Sequence, residues 1–223
     1  MAAYSSVFFD LDGTLTDPAL GITNAIIYAL KKWGLPAGPN EEYYKFIGPP
    51  MPRSFEDFFG MSPEDAKRFL ADYREYFGEI GLFENKVYPG IIPLLEQLKA
   101  AGCRLFIATT KPTVFSERIA EKFGFASYFE LISGCCLNGE RGLKREVIAW
   151  ARDTCGVDMA GAVMVGDRRH DVEGARSCGI PCIGVAYGYG GREELQAAGA
   201  DAIADSVEEL AALLLDEGAN ASR

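Results

Sequence analysis

From Tyr88 onward the sequence switches repeatedly between two hydrophobic periods, and this alternation restricts the folds open to the chain more than any other feature. Stretches apolar at helical spacing, Ile91–Ala101, Thr113–Phe123, Lys144–Cys155 and Val172–Cys178, alternate with short apolar runs at Cys103–Ala108, Phe129–Ile132, Ala162–Val165 and Cys182–Val185. A weaker run near Ala202-Ile203 precedes a last helix, Val207–Leu215, and the tail after Asp216 is expected to fray. Short, continuously apolar runs suit strands buried on both faces. Strands that alternate with helices pack as a parallel sheet with helices on either side. The expected fold class is α/β, a doubly wound parallel sheet.

The first half reads differently. Val7-Phe8-Phe9 is one more strand, and it runs into Asp10-Leu11-Asp12-Gly13-Thr14-Leu15-Thr16-Asp17. Ala19 to Trp33 is apolar at helical spacing and stops at Gly34, with Pro36 beyond. Residues 38–86 contain no strand-like run. Aromatic residues such as Tyr43, Phe46, Phe55, Phe59, Phe69 and Tyr73 recur there among charges. Short amphipathic helices fit this pattern, broken at Gly48-Pro49-Pro50-Met51-Pro52 and Gly60-Met61-Ser62-Pro63. With 223 residues the chain has room for two domains. Residues 1–16 and 87–223 form the expected α/β core, and residues 17–86 a helical insert about as small as a domain can be.

Composition excludes several classes. With 22 basic and 32 acidic residues the formal charge is −10, which argues against a nucleic-acid partner and means that any anionic substrate needs a local positive site. No run approaches the roughly 18 apolar residues of a membrane span, and no secretory signal is visible at the N-terminus. The six cysteines contain no Cys-x-x-Cys pair and there is a single histidine, His170, so a zinc site is not expected. Free thiols in a reducing cytoplasm are the expectation.

Side chains alternate along a strand, so Asp10 and Asp12 point the same way with Leu11 turned into the core. Two acids at one strand end repel unless a cation lies between them or one is protonated. A calcium loop does not explain them, because its sixth position needs Gly and its twelfth Glu, where this chain has Leu15 and Gly21. Ligands of open parallel sheets bind at the carboxyl ends of the strands. The later strands bring further polar groups there. Thr109, Thr110 and Lys111 follow Ile107-Ala108, with Pro112 placed as a first helical residue; Lys144 opens a helix, and Arg141, Arg145 and Lys111 compete with it as an anion-binding cation. Val165-Gly166-Asp167 leads to Asp171 four residues on, giving two more hard oxygen donors suited to magnesium. No Gly-Lys pair exists for a phosphate-binding P-loop, and no histidine follows Ser177 as a serine hydrolase of the nucleophile-elbow type requires.

In this order Asp10-x-Asp12, Thr109, Lys144 and Gly166-Asp167-x-x-x-Asp171 resemble the four motifs of the haloacid dehalogenase superfamily. The resemblance spans nearly the whole chain, and the insert looks like that family's small helical cap on a Rossmann-like core. Gly21-Ile22-Thr23, Thr110-Lys111-Pro112 and Tyr187-Gly188-Tyr189-Gly190 are similar to phosphoglycolate phosphatase-type members. The resemblance implies a magnesium-dependent phosphomonoester hydrolase acting on a small phosphorylated metabolite. Under it Asp10 attacks phosphorus to give an aspartyl phosphate, and Asp12 protonates the leaving alkoxide and then activates water. Mg2+ is held by Asp10, the backbone carbonyl of Asp12, and Asp167. Thr109, Lys144 and the amides near Leu11, Asp12 and Thr110 bind the phosphoryl oxygens, while Asp171 orients Lys144 or a water from outside the metal's ligands.

A 5'-nucleotidase or pyrophosphatase of the same fold, a sugar-phosphate mutase, a dehalogenase and an inactive phosphate-binding module are the alternatives. The dehalogenase ranks last because that branch does not normally carry a second acid at the position of Asp12. For specificity, the proline-stiffened loop before Arg53 makes that arginine a candidate partner for a substrate carboxylate. A solvated arginine at a helix start is the competing explanation.

Overall fold

The structure, a computed structural model, describes residues 2–215. The fraying expected after Asp216 lies outside the described residues. Among them, six strands form one parallel sheet in the order β5-β4-β1-β6-β7-β8. These are β1 (Ser6–Phe9), β4 (Arg104–Pro112), β5 (Leu131–Cys135), β6 (Ala162–Gly166), β7 (Cys182–Val185) and β8 (Ala202–Ala204). Period-two alternation divides their side chains between two cores. Val7, Phe9, Leu105, Ile107, Val163 and Val165 face one side, where α4 (Ile91–Ala100), α5 (Thr113–Lys122) and α9 (Val207–Leu214) cover them. Phe8, Phe106, Ala108 and Met164 face the other, beneath α6 (Lys144–Cys155), α7 (Arg169–Ser177) and α8 (Gly191–Ala198). The doubly wound arrangement is the one expected from the alternation of periods.

From β1 the chain adds β4 and β5 on one side, then crosses back to lay β6, β7 and β8 on the other. The order therefore reverses between β1 and β6. A crevice opens outside the carboxyl ends of strands at such a point, and those two ends carry Asp10 and Asp167.

Residues 18–85 are helical, with α1 (Ala19–Lys32), a 3-10 segment Asn40–Phe46, α2 (Met51–Phe59), α3 (Pro63–Tyr76) and a π-helical turn Phe77–Gly81. The recurring aromatics pack on one another, Phe55 on Phe69 at 4.8 Å between ring centres and Phe46 on Phe59 at 4.9 Å, and they are continuous with the core on the Val7–Phe9 side of the sheet. Ser62 caps α3 by accepting from the Asp65 amide, with Pro63 in the first turn.

Several boundaries differ from expectation. The insert is joined to the core through a two-stranded antiparallel ribbon, β2 (Thr16–Asp17) with β3 (Lys86–Val87), too short to leave a periodic signal. Helix α2 starts at Met51, so Pro52 lies inside its first turn, where no intrahelical N–H is needed, and not in the break. Strand β4 runs on to Pro112, which makes Thr113 the first helical residue; sheet pairing with β5 extends the strand past its last apolar residue. Helix α7 begins at Arg169, three residues earlier than its apolar pattern, and α8 follows the glycine-rich loop at 188–191 unforeseen. Among the described residues no helix is long and apolar enough to cross a membrane, and none of the six cysteines forms a disulfide.

Candidate active site

The Asp10 amide still continues the sheet by donating to Val165 O, but the chain turns immediately beyond it. Leu15 and Thr16 amides fold back onto Leu11 O, and Gly13 adopts φ 82°. A Cβ at Gly13 would stand 2.2 Å from Asp167 Oδ2, so both the conformation and the space exclude any other residue. The turn thereby brings the end of β1 against the loop after β6.

Three buried carboxylates meet there. One oxygen each of Asp10, Asp167 and Asp171 lies within 4.8 Å of the others. Lys144, the first residue of α6, reaches between two of them, with Nζ 2.9 Å from Asp10 Oδ1 and 2.7 Å from Asp171 Oδ1, and donates to Ala108 O at 2.9 Å. Burial opposes its charge, but Asp10 and Asp171 prevail and its pKa is raised. Burial pushes Asp171 up to about 6 against the pull of Lys144. Asp171 Oδ2 also accepts from the Arg168 amide at 3.0 Å, so this side chain closes the first turn of α7.

Among the described residues no cationic side chain forms an ion pair with Asp167. It accepts from the Tyr189 amide at 2.8 Å and, at 3.5 Å, from the Thr14 hydroxyl. Burial first, then Asp171 and Asp10, hold its pKa well above the usual carboxylate range. Three carboxylates set against one ammonium are a donor set in need of positive charge, and one built only of hard oxygens fits Mg2+.

Asp12 belongs to a second pair. Lys111 Nζ lies 2.5 Å from Asp12 Oδ2 and 2.7 Å from Oδ1, both side chains buried, and the face of the Phe77 ring covers the ammonium at 4.8 Å. Burial raises the pKa of Asp12, with Lys111 opposing. Thr109 is buried at the end of the apolar part of β4, its hydroxyl accepting from the Lys111 amide at 3.3 Å. Of the expected phosphate-binding amides, that of Leu11 is engaged by Asp10 Oδ1 at 2.8 Å. The Thr110 hydroxyl donates across to Gly48 O of the insert at 3.3 Å.

A cavity of about 310 Å³ opens over Asp10, Asp12 and Thr109, roofed by the insert through Met51, Leu70, Tyr73 and Phe77. Arg53 lines it, but its guanidinium is drawn to Asp57 at 3.0 Å and Glu56 at 3.7 Å on its own helix.

Residues 7–185 match the family model described as haloacid dehalogenase-like hydrolase. A 5'-nucleotidase of Pseudomonas aeruginosa is 42% identical over 87% of this chain and 88% of its own length. A plasmid-encoded phosphoglycolate phosphatase of Cupriavidus necator is 34% identical over 94% of this chain and 93% of its own length. A predicted phosphatase from Clostridium acetobutylicum superposes with a TM-score of 0.91 at 45% identity, covering 94% of this chain and 97% of the other. The chain belongs to the haloacid dehalogenase-like hydrolases. It is a phosphatase of that family.

The family frame leaves the local chemistry to this chain's own residues. The fold brings Asp10, Asp12, Thr109, Lys144, Asp167 and Asp171 together, from the ends of β1, β4 and β6 and the starts of α6 and α7. Arg53 stands at the rim, its side chain 70% exposed. Three partners were not assigned from sequence. Lys111 was only a competitor of Lys144, yet it lies two residues beyond Thr109 on the same strand, a spacing that puts both side chains on one face. Thr14 and Tyr189 hold Asp167 through long-range contacts that no local pattern announces.

Proposed function

We propose that this phosphatase hydrolyses small phosphorylated metabolites by an Mg2+-dependent, two-step reaction through an aspartyl phosphate on Asp10. The observation that carries the reading is the separation of the two acids of one turn. Both line the cavity, but Asp10 pairs with Lys144 within the carboxylate cluster, whereas Asp12 pairs with Lys111. Neighbouring carboxylates in different environments can serve as nucleophile and as acid.

Asp10, Asp167 and the backbone carbonyl of Asp12 would hold Mg2+, which supplies charge that lessens the repulsion between a carboxylate and a phosphate dianion. Asp10 attacks phosphorus in line, and splitting one hard hydrolysis into two displacements lowers each barrier. Asp12, whose raised pKa brings its proton nearer to neutrality, protonates the leaving alkoxide and then takes a proton from the water that opens the intermediate. Lys144 and Thr109 bind phosphoryl oxygens, and Asp171 keeps Lys144 in place. Residues 17–86 act as a cap that swings on the β2–β3 ribbon and excludes bulk water when closed. Phosphoglycolate and a nucleoside monophosphate are both within the class, given the relatives. A cytoplasmic setting agrees with the free thiols.

The test is phosphate release from p-nitrophenyl phosphate and phosphoglycolate by the purified protein, with Mg2+ or excess chelator, beside Asp10→Asn. Turnover that needs Mg2+ and is lost in a normally folded Asn variant is the expected result. Multiple turnovers by that variant, or full activity in chelator, would overturn the reading.

A further inference from the structure

One cation in the cavity is left unused by this chemistry. We infer that Arg74 of α3 sets specificity, and that the preferred substrates are phosphomonoesters whose leaving group bears a second anionic group, a carboxylate or another phosphate. This deepens the phosphatase reading above and rests on it.

Arg74 and Asp10 line the same cavity. The other cations lining it already have acidic partners: Lys111 is bound to Asp12, and Arg53 to Asp57 and Glu56. Arg74 has no ion-pair partner among the described residues. Its Nη1 donates to Leu137 O at 3.1 Å, and its other N–H donors find no protein acceptor there. It is half-buried, and that burial lowers its pKa, a sign that the charge is partly desolvated. An arginine stays charged at any physiological pH, so the imbalance cannot be relieved by losing a proton. Leu70, Tyr73, Phe77 and Phe115 line the same cavity and add apolar wall to it.

A partly desolvated, unmatched cation is unfavourable alone and favourable once paired. The planar fork matches a carboxylate or phosphate with two parallel hydrogen bonds. The Leu137 contact, from α3 to the loop after β5, fixes one arm of that fork, and the remaining donors of this cavity-lining residue have no protein acceptor among the described residues. A volume of about 310 Å³ is at the small end of ligand sites, which suits a short leaving group.

The experiment uses the full-length protein with Mg2+ and three esters of one two-carbon framework: phosphoglycolate, ethane-1,2-diyl bisphosphate and 2-hydroxyethyl phosphate. AMP and p-nitrophenyl phosphate complete the panel. The wild type should prefer one of the two anionic esters to the hydroxyethyl ester, and which one identifies the anion. Arg74→Ala should lower the ratio of kcat/KM for the preferred anionic ester to that for the hydroxyethyl ester roughly ten- to hundredfold. The change should fall mainly in KM, and Arg74→Lys should recover part of it. Arg74→Lys also serves if the alanine variant does not fold. No preference for an anionic ester, a preference for AMP, or an equal loss on all esters would overturn the inference. If p-nitrophenyl phosphate is turned over and depends on Asp10 in those cases, the phosphatase reading survives and only the role of Arg74 fails.

Discussion

Lys144→Met tests the electrostatic logic of the site without much change of volume. The ammonium is 4% exposed, between Asp10 at 7% and Asp171 at 1%. Removing one partner from a buried pair leaves an uncompensated charge, which costs about 3–5 kcal/mol. Whole domains are stable by only about 5–15 kcal/mol, so the variant should fold but unfold at much lower urea. The pH dependence has a definite sign. Asp171 titrates near 6 in the folded protein, above its unfolded value even with Lys144 present. A carboxyl with a raised folded pKa contributes stability that is full below its unfolded pKa and is lost as pH rises through the folded one. Without Lys144 that pKa climbs further, so the deficit should be largest near pH 8 and shrink toward pH 5. Mg2+ replaces part of the missing charge and should narrow the gap at pH 8. Urea titrations in chelator and in Mg2+ at both pH values read all of this. Equal stability of variant and wild type at pH 8 in chelator, or a deficit that grows on acidification, would refute the reasoning.

Two further perturbations separate chemistry from closure. Asp12→Asn should slow alkyl phosphates on the order of a hundredfold or more, and p-nitrophenyl phosphate far less, because only the poor leaving group needs a proton; steady-state kinetics showing equal losses would count against Asp12 as the acid. Gly48→Ala places a Cβ 2.8 Å from Arg168 Cγ at φ 101°, in the loop that Arg168 grips through Ile47 O and Thr110 through Gly48 O. A cost of about 1–2 kcal/mol for the backbone alone is expected, with a fall in kcat/KM. Unchanged kinetics would show that this loop does not hold the insert over the site.

What the sequence disclosed follows from where the determinants lie. The parallel sheet was legible because strands buried on both faces must be continuously apolar, and Phe8 with Phe106 shows why, the rings stacking 5.0 Å apart beneath α6. The meeting of Asp10 and Asp167 was legible because both follow strands of one parallel sheet, and Asp171 lies one helical turn beyond Asp167. The Asp12–Lys111 pair was not, since residues 99 positions apart meet only through the β1–β4 register, which aligns Phe9 with Ile107. Arg74 was hidden for another reason. On α3 it sits among exposed charges, and only the packing of the insert over the core makes it line the cavity. Prolines before Arg53 set it at a helix start, but a helix start also supplies i+3 and i+4 acids, and those pair with it.

The chain's charge of −10 makes the site's arrangement informative. A phosphate dianion approaches a negative molecule and must find its attraction within the crevice. In the proposed reaction Lys144 and Lys111 would supply it there, yet each is already shared with an acid, so neither creates an excess of positive charge before substrate arrives. That pairing bears on proton transfer. Burial raises the pKa of Asp12 while Lys111 opposes the rise. In the proposed reaction a phosphate dianion seated beside it adds a like charge and draws Lys111 toward its own oxygens. Both effects disfavour the ionised carboxylate. Substrate binding would then favour the protonated form of the acid that the proposed first step consumes, while Asp10, two residues earlier, is paired with Lys144.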